Sequence, residues 1–276
     1  MIYWIVGIIL FLIAVYIFVD REIYFYEGTH LGGRVQGWLY DRWAKKYDEG
    51  KRLSQERDAE MLARPLLEAL EAGPEPFLLD VATGTGRLPL ALLREPEFAG
   101  HVVALDISLG MLEQAAIKLA DFKTGVTLVR QPGWPLPFPD ATFDAVCCLE
   151  ALEVMPGMET PLAELYRVLR PGGIFVTSRG TEASGRKAKV ISAEAFTRLL
   201  EAKGFETVEI TPWWKLFDRV LARKPGRLVP AGARRLEDVL VCPACTRAGM
   251  GKAEAGLRCA ACGGEVTLSP EGILLL

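Results

Sequence analysis

The chain has 276 residues, half of them hydrophobic and 24% charged, a composition that excludes wholesale disorder and allows one or two domains with sizeable cores. Its 32 Lys and Arg stand against 35 Asp and Glu, a formal net charge of −3, so no basic excess exists to carry phosphate-backbone binding over the whole surface.

From Ile2 to Val19 the chain runs 18 residues without a charge. As a helix this stretch is roughly 27 Å long, just enough to cross a bilayer. A cleavable signal would want a basic start and a small-residue cleavage site, and the sequence offers neither, because Asp20 and Arg21 follow Phe18 and Val19 directly. A buried helix of a soluble core is also disfavoured, since the segment lies at a terminus and is apolar on all sides. The expectation is a single-pass anchor over residues 1–20 and a juxtamembrane linker over 21–37. Arg21, Arg34, Arg42, Lys45, Lys46, Lys51 and Arg52 follow the span, and that bias predicts that the body faces the cytoplasm.

A polar helical segment is expected from Trp38 to about Ala72, ended by Gly73, Pro74 and Pro76. Beyond it, short apolar runs at Phe77–Val81, Val102–Asp106, Val126–Arg130, Phe143–Leu149 and Ile174–Ser178 read as buried strands. Helical patterns lie between them at Leu88–Arg94, Leu109–Asp121 with Ser108 as N-cap, and Leu162–Leu169. This alternation predicts an α/β fold, a Rossmann-like doubly wound parallel sheet over 38–226, with its ligand beyond the carboxyl ends of the strands. Asp80, Asp106, Arg130, Leu149 and Ser178 border that crevice. Arg170, Pro171, Gly172 and Gly173 read as a turn into the fifth strand.

The stretch "LLDVATGTGRLPLAL" from Leu78 to Leu92 is a glycine-rich strand-to-helix turn. A nucleoside-triphosphate loop needs Gly-Lys-Ser/Thr, but Arg87 and Leu88 follow Gly86. A dinucleotide loop needs a third glycine where Pro89 stands. Asp106, twenty residues past Gly86, suits ribose hydroxyls in either a dinucleotide or an adenosyl ligand. Asp80, just before the loop, would repel a pyrophosphate and suits a ligand carrying an amino group, which ranks a dehydrogenase last. Few groups are suited to acid-base work. Glu150 and Glu153 follow the fourth strand, and Glu150 is the expected base, if one is needed. His101 begins the second strand, at the wrong end of the sheet, and His30 lies in the linker. Cys147 and Cys148 read as buried, inert thiols.

Near the carboxyl end, Cys242-Pro-Ala-Cys245 and Cys259-Ala-Ala-Cys262 form two C-x-x-C knuckles separated by thirteen residues. Four thiolates at this spacing predict a closed tetrahedral zinc site, structural because no coordination position stays open. A segment of about forty residues, 237–276, is too small for a good core alone, so metal binding is expected to supply its folding energy. Arg247, Lys252 and Arg258 are too few to argue for nucleic acid through this segment.

The pieces "YDRWAKKYD" (40–48), "LLDVATGTG" (78–86), "VVALDISLGMLEQA" (102–115), "LPFPDATFDAV" (136–146), "RVLRPGGIFV" (167–176) and "VLARKPG" (220–226) resemble, in order, the class I S-adenosylmethionine-dependent methyltransferases, especially the ubiquinone/menaquinone branch. That resemblance implies S-adenosylmethionine as cofactor. Asp80, Ala82, Gly84 and Gly86 would line its methionine portion, Asp106 would hold the ribose, Ile107 and Met111 would pack on adenine, and Tyr47 would close over it. The acidic residue that usually binds the adenine amino group is missing from Arg130-Gln131-Pro132-Gly133-Trp134-Pro135, where Gln131 is expected to accept that hydrogen bond and Trp134 to touch the base. The segment from Glu237 to Leu276, with both knuckles and the closing "EGILLL", resembles the zinc-ribbon activator family of tRNA and translation-factor methyltransferases, although Val266 and Thr267 replace that family's aromatic-proline pair. The leading expectation is a membrane-anchored methyltransferase acting on a hydrophobic small molecule or lipid. The alternatives are an enzyme acting on RNA or protein, with the ribbon as activator in cis or as a surface for a protein or nucleic acid partner, and a non-catalytic interaction protein that keeps the fold.

Overall fold

The computed structural model describes residues 2–70, 75–184 and 190–276. The first helix, α1 (Ile2–Phe18), buries none of its residues and passes into π-helical turns over Val19–Phe25, so the helical rod outlasts the expected span and carries Asp20, Arg21 and Glu22. The whole of Ile2–Phe25 is long and apolar enough to cross a membrane, by length and composition.

The second helix, α2 (Gly33–Gln55), starts five residues before Trp38. It is followed by a π-helical turn over Ala59–Ala63 and by α3 (Arg64–Ala69) with Pro65 in its first turn, where a missing N–H costs nothing. The expected end at Ala72, Gly73 and Pro74 lies outside the described residues; Leu70 is already extended.

Five parallel strands then form the centre: β1 (Phe77–Val81), β2 (His101–Asp106), β3 (Val126–Arg130), β4 (Phe143–Cys148) and β5 (Leu169–Gly180). Every residue of β1 and β4 is buried, as expected for strands covered on both faces. The crossovers are α4 (Arg87–Leu93), α5 (Leu109–Lys118) and α6 (Glu159–Val168). Ser108 caps α5, its Oγ accepting from the Met111 amide at 3.1 Å. The Arg170–Gly173 segment is a bulge inside β5, where the register against β4 jumps between Phe143 and Ala145 and Gly172 takes φ +74°.

The elements between β5 and the ribbon, and the ribbon's docking on the sheet, were not anticipated. The helix α7 (Ala193–Ala202) leads to β6 (Glu206–Trp214), which turns back as β7 (Phe217–Arg223), antiparallel to both β6 and β5. The carboxyl-terminal segment, α8 (Leu236–Val239), β8 (Gly251–Ala253), β9 (Gly256–Arg258), β10 (Glu265–Leu268) and β11 (Leu274–Leu275), extends the same sheet. The order is β6-β7-β5-β4-β1-β2-β3-β11-β10-β9-β8. The ribbon joins through β11, which pairs in parallel with β3 (Leu274 opposite Val129, Leu275 opposite Arg130), and the Val241 amide donates to the Pro137 carbonyl at 2.8 Å. Leu240, Met250, Val266 and Leu274 share one buried cluster with Phe77, Val129 and Phe138. The ribbon therefore shares its apolar core with the larger domain and covers a strand edge that would otherwise be open.

Removing buried methylenes at this seam tests the junction. Leu274→Ala is expected to cost roughly 2–5 kcal/mol and to lower the melting temperature of the whole protein, read by circular dichroism. An unchanged melting curve would show that the ribbon does not dock on β3.

Candidate active site

The loop after β1 is shaped by backbone conformation. Ala82 lies at φ +57° and Gly84 at +55°, in the left-handed region. Gly86 at φ +77° has a second reason to be glycine, because a Cβ there would meet Leu119 Cδ1 at 2.9 Å on the packed face of α5. The loop brings two buried carboxyls together at the strand ends. Asp80 accepts a hydrogen bond from Thr83 Oγ1 at 2.6 Å. Asp106 accepts from the Gly84 amide at 2.8 Å and the Ser108 amide at 2.9 Å. Burial pushes Asp80 up to about 7, with Asp106 adding to the effect and Thr83 opposing it. Burial likewise raises Asp106 to about 6 against the pull of its backbone donors.

Over these strand ends lies α2, fastened at three points. Asp41 accepts from Ser108 Oγ at 2.6 Å and from the Gly110 amide at 2.8 Å, at the amino end of α5. Asp48 accepts from Thr85 Oγ1 at 2.7 Å and pairs with Lys118 at 2.6 Å. The third point is Glu150, reached from α2 by Lys51 and from the glycine loop by Arg87 Nη1 at 2.6 Å. Arg87 also grips Asp58 with two nitrogens at 2.6 Å each, donates to the Ser54 carbonyl at 2.7 Å, and stacks 4.4 Å from the Trp213 ring.

Roofed in this way, the crevice divides into connected spaces. A cavity of about 280 Å³ runs between Gln36 on α2 and Ala82, Asp106, Ile107, Gln131 and Trp134. One of about 110 Å³ continues past Gly84, Met111, Tyr40 and Tyr47, and a recess of about 50 Å³ ends at Asp80, Gly84 and Arg87. Tyr40, Tyr47, Glu150 and Val154 are shared with a fourth space of about 400 Å³, walled by Trp43, Phe217 and Leu216 and reaching Tyr24 and Glu27 below the apolar helix.

All nine residues that the resemblance assigned to a cofactor border this system except Gly86, which sits behind the loop against α5. Gln131 Nε2 donates to the Gly133 and Pro135 carbonyls at 2.9 and 3.2 Å, which leaves its side-chain oxygen turned to other donors. Glu150, the expected base, has one carboxylate oxygen against Lys51 and the other against Arg87, and its backbone amide donates to Ser178 Oγ at 2.6 Å, an arrangement that suits an ion-pair partner. His101 bonds Thr127 Oγ1 at 2.9 Å and His30 pairs with Glu22, neither lining these four spaces, and Cys147 and Cys148 are fully buried. Sequence reasoning missed the roles of Arg87, Asp58 and Lys51. The signal available for the last was spacing, since Tyr40, Tyr47 and Lys51 recur at helical intervals on one face of α2.

In the ribbon, Cys242 Sγ lies 3.6 Å from Cys262 Sγ, and Cys245 Sγ 3.6 Å from Cys259 Sγ. All four sulfurs fall within 4.8 Å of one another, near the ~3.8 Å edges that Zn–S bonds of about 2.3 Å imply for a tetrahedron. Gly264 packs closely beside them, and a Cβ there would stand 3.3 Å from two of the sulfurs.

The methyltransferase-domain family matches residues 79–177. Among curated relatives, a demethylmenaquinone methyltransferase of Symbiobacterium thermophilum is 34% identical over 54% of this chain and 60% of its own length. The ubiquinone/menaquinone biosynthesis C-methyltransferase UbiE of Geobacter sulfurreducens is 30% identical over 67% of this chain and 73% of its own. In fold, a solved complex of the Haloferax volcanii Trm112 methyltransferase activator with a methyltransferase contains a chain matched with a TM-score of 0.51 at 19% identity, over 67% of this chain and 97% of that one.

The arginine at the centre of the roof supplies a stability test. Arg87→Met leaves Asp58, which is buried, without its charge partner and Glu150, which is half-buried, with Lys51 alone. The expected loss is about 3–5 kcal/mol, measured by urea denaturation.

Proposed function

Because the chain belongs to the S-adenosylmethionine-dependent methyltransferases, we propose that it methylates a hydrophobic aromatic acceptor of the quinol class, drawn from the membrane that α1 anchors it to. One observation carries the reading. The aromatic 400 Å³ cavity adjoins the 110 Å³ space above Gly84 and Asp106 on one side, through Tyr40 and Tyr47, and the foot of the apolar helix on the other, through Tyr24 and Glu27. A flat apolar ring suits walls made by Trp43, Tyr47 and Phe217. The names of the two quinone-biosynthesis relatives support the same acceptor class. The basic residues after the span support a body on the cytoplasmic side.

In this reading adenine lies in the 280 Å³ cavity on Ile107, its amino group donating to Gln131 with Trp134 alongside. Asp106 still has acceptor capacity for the ribose hydroxyls, and Asp80 meets the cofactor's ammonium, with Ala82 and Gly84 allowing close approach. Bound S-adenosylmethionine supplies the electrophilic methyl. The protein supplies alignment, held by the fastened α2, and shelter from water. The four cysteines suit zinc, which would close the ribbon and so support β3. The parallel seam between β11 and β3 also favours a second reading, in which the ribbon acts as a built-in activator of an enzyme that modifies RNA or protein.

Three measurements test these statements. Full-length protein in lipid nanodiscs, given methyl-labelled cofactor, is expected to label demethylmenaquinol and not ribosomal RNA; label in RNA alone would favour the second reading. In the free protein Asp80 is protonated below about pH 7 and must ionise to pair with an ammonium, so cofactor affinity is expected to fall roughly tenfold per pH unit below 7. Calorimetry of S-adenosylhomocysteine checks this, and a flat profile down to pH 5.5 would remove Asp80 from the contact. Zinc analysis of purified protein is expected to find one ion per chain, and a strong chelator to lower the melting temperature.

A further inference from the structure

The methyl acceptor of an aromatic C-methylation must give up a proton, and the group expected to take it, Glu150, is locked between two cations. The wall of the 400 Å³ cavity holds a second carboxyl, on the short 3₁₀ turn Leu152–Val154 that follows β4. Glu153 is half-buried and lines the cavity, and its hydrogen-bond partner among the described residues is its own backbone amide. The groups that face it come from every neighbouring element. Glu27, below the anchor helix, accepts from Tyr40 Oη at 2.5 Å. Tyr40, Tyr47 and Lys51 approach from α2, and Glu150 from the end of β4. Each of these is otherwise occupied or unsuited to take a proton. Burial raises both phenols well above their usual range, so Tyr40 and Tyr47 stay protonated and act as donors. Lys51 is paired with Glu150 and lies 5.6–5.9 Å from the rings of Tyr47, Phe217 and Trp214.

We propose that Glu153 is the proton acceptor of this enzyme, taking the proton that the quinol loses when its ring is methylated. The inference rests on the quinol reading above. In the balanced step, the ring carbon ortho to a hydroxyl attacks the sulfonium methyl. The new C–C bond forms as the C–S bond breaks, and sulfur keeps the electron pair as a neutral thioether. The ring carbon's proton passes to the Glu153 carboxylate, restoring the aromatic quinol. Burial, reinforced by Glu150 and Glu27, pushes Glu153 up to about 7 against the opposing effects of its backbone bond and Lys51. A base of that strength suits proton transfer near neutrality.

The test compares wild type, Glu153→Gln and Glu153→Asp as full-length protein in nanodiscs, with methyl-labelled cofactor and a short-tailed demethylmenaquinol, between pH 5.5 and 9. Wild-type kcat is expected to rise about tenfold per pH unit up to roughly 7 and then level off. Glu153→Gln is expected to lower kcat by about 10²-fold or more, with quinol KM and S-adenosylhomocysteine affinity changed less than threefold, and to lose the acidic limb. Glu153→Asp, which keeps the carboxyl, should recover part of the rate and the limb, which a merely structural role would not predict. Labelling of the quinol by Glu153→Gln within threefold of wild type, or with the acidic limb intact, overturns the assignment alone. Absence of label from the quinol with wild-type protein that binds S-adenosylhomocysteine overturns the acceptor reading, and the assignment with it.

Discussion

Carboxylates fasten α2 across the carboxyl ends of the parallel strands, and the cavities exist only because of that roof. Without Asp41 on the amino end of α5, Asp48 on Thr85 and Lys118, and Lys51 on Glu150, the crevice above Asp80 and Asp106 would be an open trough. A parallel sheet leaves such a trough by construction, since its strands all end on one side. The closure is electrostatic where it meets the glycine loop and apolar where Gly37 packs on Ile107. Arg87, which follows the glycine loop, ties that loop to Asp58 and to Glu150 on the wall of the 400 Å³ cavity.

The same helix joins the apolar amino-terminal rod to the cavities. From Phe25 the chain needs only the short turn at Thr29–Leu31 before α2 begins, and Thr29 Oγ1 and Gln36 Nε2 both donate to the Val154 carbonyl, beside Glu153. The 400 Å³ cavity is thus bordered by Tyr24 at the end of the apolar rod and by Glu27 just after it. Under the proposed quinol reading, this arrangement would let the ring enter while an isoprenoid tail stays in lipid. The ribbon works at the opposite edge of the sheet, where β11 on β3 supports the strand that ends beside Gln131.

The central sheet, the glycine loop and the cysteine knuckles were legible because each is a local pattern: five apolar runs at regular spacing, a turn with fixed glycines, and paired C-x-x-C. The hairpin β6–β7 escaped notice because β6 is largely half-exposed and gives no continuous apolar run. The seam between β11 and β3 was hidden for a different reason, since two leucines near the end of a small domain carry no mark of the strand they pair with. The ion pairs of Glu150 were hidden for the same reason. Its partners lie 99 and 63 residues away in sequence, and a carboxylate's partners decide whether it is a base or a brace.

The most direct measurement is an electron cryo-microscopy or crystal structure of the full-length protein in lipid, with S-adenosylhomocysteine and a demethylmenaquinol analogue bound. The expected result is the nucleoside along Asp106 and Ile107 and the quinol ring between Tyr47 and Phe217, its reactive carbon placed for a methyl transfer of about 3–3.5 Å, with the tail running toward Tyr24. A quinol bound outside the cavity that α2 roofs, or a nucleoside that leaves Asp80 and Asp106 untouched, would contradict it.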